Sequence, residues 1–237
     1  MEKNYSKITV SLDVEYSLGT GIDINISDWL SALDKLIYFD LKEQNVKFIY
    51  AVVGELVDVN QKSENISSDN KSIIISKLKN CKYIGWHTNN HISENLIEIK
   101  DWNLDLAIGV NLINELFNKD ISLYVPPQNL SIHSKYFDKR RKHSKVWFEK
   151  GMSWNDYATF PKKIARMLNA FFPIDNSGSF FVRFNLPKWI FKVHMKRLEN
   201  YIKSNKKDAH IWFHPFNCIG YDKNLDYLFK TIKECVE

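Results

Sequence analysis

No stretch of this chain approaches the ~18 consecutive apolar residues that a membrane span needs. The opening MEKNYSKITVSLDVEYS carries charge but has neither an apolar core nor a small-residue cleavage site, so no secretory signal is expected. Cysteine is scarce. Cys81, Cys218 and Cys235 are odd in number and far apart, which excludes a disulfide framework and a C-x-x-C metal knuckle. A reducing cytoplasm is the expected compartment. Internal repeats, low-complexity tracts and clear linkers are also missing, so one domain is expected over residues 1–237.

What is present argues for a compact enzyme-sized globule. Apolar residues make up 44% of the chain and aromatics 14%, enough to bury a substantial core. The net charge of +5 is mild. Its densest run, KYFDKRRKHSKVWFEK at 135–150, interleaves basic and aromatic residues. Phosphate or nucleic-acid contact is one reading. A solvated face is the better one, because no motif accompanies the charge, and no nucleic-acid partner is expected.

Hydrophobic patterning predicts strands at 7–14, 46–57, 81–86, 121–127 and 209–217, with a strand or loop at 179–187. Helices are predicted at 27–44, 71–80, 94–117, 160–172, 188–205 and 225–237. In 27–44, Ser27 and Asp28 are candidate caps, and Trp29, Leu33, Leu36 and Ile37 share one face. Strand and helix alternate through the first half, which predicts an α/β fold around a parallel sheet.

Chemistry in such folds collects at the C-terminal ends of strands. The first strand ends in Asp13-Val14-Glu15 and the third in His87-Thr88-x-x-His91. Another ends in Pro126-Pro127-Gln128-Asn129 and the last in His214-Pro215. Two histidines four apart are by themselves a weak signal, since a helix start carries them as readily as a metal does. The set is more informative. Two carboxylates and two imidazoles can make a one-carboxylate, two-histidine metal site and leave a spare carboxylate as general base. A further histidine can protonate a leaving amine. That set suits metal-assisted hydrolysis of an amide or ester.

In order and spacing these segments resemble the polysaccharide deacetylases of carbohydrate esterase family 4, the NodB-homology domain. SLDVE (11–15), HTNNH (87–91), YVPPQN (124–129) and IWFHP (211–215) are similar to four motifs of that family, and HTNNH is the most specific of them. The resemblance implies a distorted parallel (β/α) barrel and a divalent metal, zinc foremost. It implies Asp13 as general base, Glu15, His87 and His91 as metal ligands, and His214 as general acid. The D-x-E and P-P-x-N forms are similar to the branch found with O-antigen and capsule biosynthesis (lipopolysaccharide assembly), without a secretion signal. The implied substrate is a carbohydrate, an acetamido sugar or glycan precursor, losing its N-acetyl group.

Two departures stand out. Val14 separates acids that are adjacent in many family members, and alternation along a strand would put Asp13 and Glu15 on one face. Val125 stands where the family carries an arginine that orients the catalytic acid. Arg183 is the candidate substitute, or else an ordinary surface arginine. Pro127 and Asn129 are candidate substrate contacts, with a turn-shaping role as the other reading of Asn129. Trp154 is a candidate sugar-stacking residue and Asp156 a candidate hydroxyl ligand. Trp86, Trp212 and Phe213 read as core or pocket wall, and His133, His143, His194 and His210 as structural or surface residues. A carbohydrate-binding protein with weakened catalysis, and a metal-independent hydrolase of cyclic amides, are the competing functional expectations.

Overall fold

The computed structural model describes residues 8–16, 23–43, 45–61, 66–92, 96–119, 124–125, 127, 179–205 and 209–236. Its elements are β1 (Ile8–Val14), α1 (Ile26–Lys42), β2 (Val46–Val52), α2 (Ser68–Leu78), β3 (Tyr83–Trp86) and α3 (Ile99–Phe117). They are followed by β4 (Ser179–Phe181), α4 (Lys188–Asn205), β5 (Ala209–Phe213) and α5 (Asp222–Val236). The strands form one sheet in the order β3-β2-β1-β5-β4, and the paired registers are parallel. This is the α/β class that the alternation predicts. Every residue of β1 is buried, as expected of a strand covered on both faces. The chain divides into two compact units, one of Met1–Leu12, Ser27–Phe48 and Asn155–Glu237, the other of Asp13–Ile26 and Ile49–Trp154.

In the first unit, Ile8–Leu12 of β1 runs opposite Ala209–Phe213 of β5. Helix α1 buries Trp29, Ala32, Leu33, Leu36 and Ile37, the face that the helical spacing predicts with Ala32 added. It packs on α5, where the rings of Phe39 and Phe229 stack with centroids 3.8 Å apart. The exposed Lys35–Asp222 pair at 2.5 Å adds little by comparison. The Asn224 amide donates to the carbonyls of Phe184 (2.7 Å) and Leu186 (3.3 Å), tying the segment after β4 to α5. Strand β5 stops at Phe213, short of the expected 217, because Pro215 opens a 3₁₀ turn over Pro215–Cys218.

His210 in β5 is buried and lies 2.9 Å from the Ser11 hydroxyl. Desolvation holds its pKa down at about 3, so the ring is neutral in the folded protein. The unfolded chain takes up this proton near pH 6.5, so folded stability is full above that pH and falls as the pH drops toward about 3. The loss from this group is about tenfold in the folding constant per pH unit. Urea unfolding between pH 7 and 4 should therefore show a steeper decline for the parent than for His210→Gln. Parallel declines would refute the assignment.

In the second unit, β2 and β3 pair from Ile49↔Tyr83 to Val52↔Trp86, and Trp86 bridges to Tyr124. The strand expected at 121–127 is present among the described residues as that single bridge. Helix α2 starts at Ser68, three residues before its expected start, because the Ser67 hydroxyl caps it by accepting from the Asn70 N–H. Its Lys71 is buried, and its ammonium donates to the carbonyls of Asp58 (2.9 Å) and Gln61 (2.8 Å). Helix α3 begins at Ile99, five residues after the expected start. It reaches Trp86 at Gly109, where any Cβ would overlap the indole nitrogen. Trp86, Trp102 and Tyr124 make a buried aromatic cluster, with Trp86 and Tyr124 centroids 4.8 Å apart. The helix expected at 160–172 lies outside the described residues. No described helix is long and apolar enough to cross a membrane.

Candidate metal centre

The second unit brings the end of β1 and the loop after β3 together. Strand β1 ends at Val14 and does not continue through Glu15. Instead the Glu15 N–H turns back onto the Asp13 carbonyl at 3.1 Å, and Tyr16 follows with φ of 52°. The Tyr16 hydroxyl donates to the Ile24 carbonyl at 2.6 Å. Asp13 and Glu15 are both buried carboxylates.

His87 leaves β3 with its N–H on the Val52 carbonyl, 3.0 Å away. Its Nδ1 lies 2.6 Å from the Val125 carbonyl. A carbonyl only accepts, so Nδ1 carries the proton and Nε2 keeps its lone pair in the neutral ring. The loop that follows is strained. Thr88 has φ of 61° and His91 φ of 53°, a region that a β-branched residue enters only at a cost. Two main-chain hydrogen bonds hold it, from Gly54 N–H to the Thr88 carbonyl (3.1 Å) and from Glu55 N–H to the Asn89 carbonyl (2.8 Å). A Cβ at position 54 would overlap the Asn89 side-chain amide, so a larger residue there would displace that side chain. The Asn89 N–H donates to Asp105 Oδ2 at 3.0 Å.

Glu15 Oε2 lies 2.5 Å from His91 Nε2 and 3.4 Å from His87 Nε2. Each of the three residues offers a ligand atom, all within 4.8 Å of one another. His87 Nε2 is buried and, among the described residues, faces the Glu15 carboxylate without a short hydrogen bond. Burial alone disfavours the imidazolium of His87. The Asp13 and Glu15 carboxylates and the Val125 carbonyl outweigh it and raise the pKa. The same negative potential attracts a cation. One carboxylate and two imidazoles, one of them oriented by a carbonyl through its other nitrogen, fit a zinc-like divalent ion.

The other predicted residues stand elsewhere. His214 follows β5 in the first unit, and its backbone N–H and Nδ1 lie 3.1 and 3.0 Å from Asn217 Oδ1. Its ring stacks on Phe216 at 4.7 Å. Arg183, also in the first unit, has its guanidinium 5.9 Å from the Phe181 ring centroid. Pro127 is buried in the second unit. Asn129, Trp154, Asp156, His133 and His143 lie outside the described residues. His194 and His210 are buried, as structural histidines would be. The sequence reading missed Gly54, Asn89, Asp105 and Asn217. A glycine directly after an apolar strand and an acid inside the apolar DWNLDLAIGV were the available signals for Gly54 and Asp105.

No family model matches the chain, and no curated protein matches it. Solved structures do. One is assigned as a polysaccharide deacetylase from Mycobacterium smegmatis, with TM-score 0.58 and 14% identity, over 99% of this chain and 86% of that one. A second is a pseudoenzyme of carbohydrate esterase family 4 from Bacillus anthracis, with TM-score 0.56 and 12% identity, over 98% of this chain and 62% of the other. A third is a family 4 acetyl xylan esterase from Clostridium thermocellum in complex with a cobalt ion, with TM-score 0.50 and 16% identity, over 97% and 84%. At these identities the likeness is one of architecture. This chain has the fold of the carbohydrate esterase family 4 polysaccharide deacetylases.

Proposed function

We propose that residues 1–237 act as one metal-dependent deacetylase domain that removes an N-acetyl group from an acetamido sugar. The observation that carries this reading is the Glu15–His87–His91 cluster, with the Asp13 carboxylate acting on the same His87. Glu15, His87 and His91 would hold a divalent cation, zinc foremost, which when bound polarises the acyl oxygen and acidifies water. Asp13 then takes the proton of the attacking water. His214 is assigned, from its place in the motif order, the proton that the departing amine nitrogen needs as the C–N bond breaks. The products are acetate and a free amino sugar. The names of the fold neighbours, a polysaccharide deacetylase and an acetyl xylan esterase, support a carbohydrate substrate. The D-x-E and P-P-x-N forms favour a cytoplasmic precursor of a surface polysaccharide.

A second reading, a carbohydrate-binding protein with weakened catalysis, is favoured by Val125. Its side chain is buried and it serves His87 only through its carbonyl, so it supplies no guanidinium to orient Asp13. A family 4 pseudoenzyme shares the fold. Acetate release decides between the two readings. Zinc- or cobalt-loaded protein should release acetate from a panel of acetamido sugars, lose that activity with a chelator and regain it on metal addition. His87→Ala and His91→Ala should each abolish it. Metal bound tightly with no acetate from any substrate would favour the binding reading.

A further inference from the structure

His91 meets Glu15 from a loop that takes left-handed turns at Thr88 and His91. Each such residue costs about 1–3 kcal/mol and persists only where its surroundings over-determine it. The anchors of this loop are unequal. The Thr88 and Asn89 carbonyls are held by the amides of Gly54 and Glu55, main chain on main chain. The Asn89 amide, two residues from each histidine, is held by a side chain, Asp105 Oδ2 at 3.0 Å. Asp105 sits on α3, the helix that also packs Gly109 against Trp86. It is partly buried, and among the described residues no lysine or arginine pairs with it. A partly buried carboxylate is expensive to keep unless it is paired or hydrogen-bonded. Desolvation accordingly raises its pKa, while the Asn89 amide pulls it back.

We infer that Asp105 is a positioning residue for the metal ligands: by accepting from the Asn89 amide it locks the loop in the shape that presents His91 beside Glu15. It is not one of the three residues whose potential ligand atoms gather at the centre. Its effect belongs to metal affinity and ligand geometry. The inference rests on the metal reading above and adds a residue that no motif contains.

The test is cobalt titration of the parent and of Asp105→Asn, Asp105→Glu and Asp105→Ala, read by calorimetry and by the visible ligand-field spectrum. Urea unfolding of each metal-free protein runs alongside. Asparagine keeps an oxygen at the right distance without the charge, so D105N should bind cobalt within about threefold of the parent and with the same spectrum. Glutamate keeps the charge but displaces the acceptor by a methylene, and alanine removes it. Both should weaken cobalt binding by about 10–100-fold, the usual effect of losing a group that orients a ligand, and both should shift the spectrum. If D105A fails to fold, the contrast between D105N and D105E still decides. D105E like the parent with D105N weakened would mean that the charge acts and not the hydrogen bond, which overturns the proposal. D105A or D105E binding cobalt like the parent overturns it as well. A parent that binds no cobalt overturns the metal reading, and this inference with it.

Discussion

Asp13→Asn should leave the metal bound and lower acetate release by roughly 10²–10⁴-fold, the usual contribution of a positioned general base. The substitution keeps the size of the side chain and removes only its capacity to take a proton. The ligand cluster of Glu15, His87 and His91 does not include Asp13, so stoichiometry should hold while turnover falls. Metal content and initial rate, measured on the same preparation, check both halves. Loss of metal in Asp13→Asn would exchange the roles of Asp13 and Glu15. Full activity would remove Asp13 from the chemistry.

Trp86→Ala should be the most damaging single change to the fold near the site, by about 3–5 kcal/mol. Trp86 is fully buried. Its ring meets Trp102 and Tyr124, and α3 approaches it closely enough to need Gly109. Its carbonyl accepts from Val125 N–H at 3.0 Å, and the Val125 carbonyl in turn faces His87 Nδ1 at 2.6 Å. Truncation therefore opens a cavity among Trp102, Tyr124 and Gly109, at the residue directly before His87. Urea unfolding should show the loss in stability, and cobalt affinity should fall with it. Phenylalanine at 86 should recover most of the stability. An alanine variant as stable as the parent would mean that α3 does not depend on this contact.

How much of this was legible in the residues varies with the scale of the interaction. The parallel strands read as apolar runs because they are buried on both faces, and the core face of α1 was predicted down to Trp29, Leu33, Leu36 and Ile37. Element ends were less legible, because capping and turn chemistry set them locally. Ser67 starts α2 early, and Pro215 stops the run after β5. Glu15, His87 and His91 were singled out through a family resemblance carried by strand-end motifs, and the structure gathers potential ligand atoms of these three within 4.8 Å of one another. The devices that hold them were not. The carbonyl of Val125, the amides of Gly54 and Glu55 and the carboxylate of Asp105 act across long sequence separations or through main chain that any residue supplies. The turn of the Glu15 amide onto the Asp13 carbonyl was likewise not legible, although the Asp13 and Glu15 carboxylates both act on His87.

Elemental analysis of untagged protein, parent beside His87→Ala, tests the central claim most directly. With zinc or cobalt supplied and excess removed, the parent should carry about one ion per chain, as a single three-ligand site requires. His87→Ala should carry almost none. A parent without metal, or a variant that keeps as much as the parent, would contradict the assignment of Glu15, His87 and His91 as a metal centre.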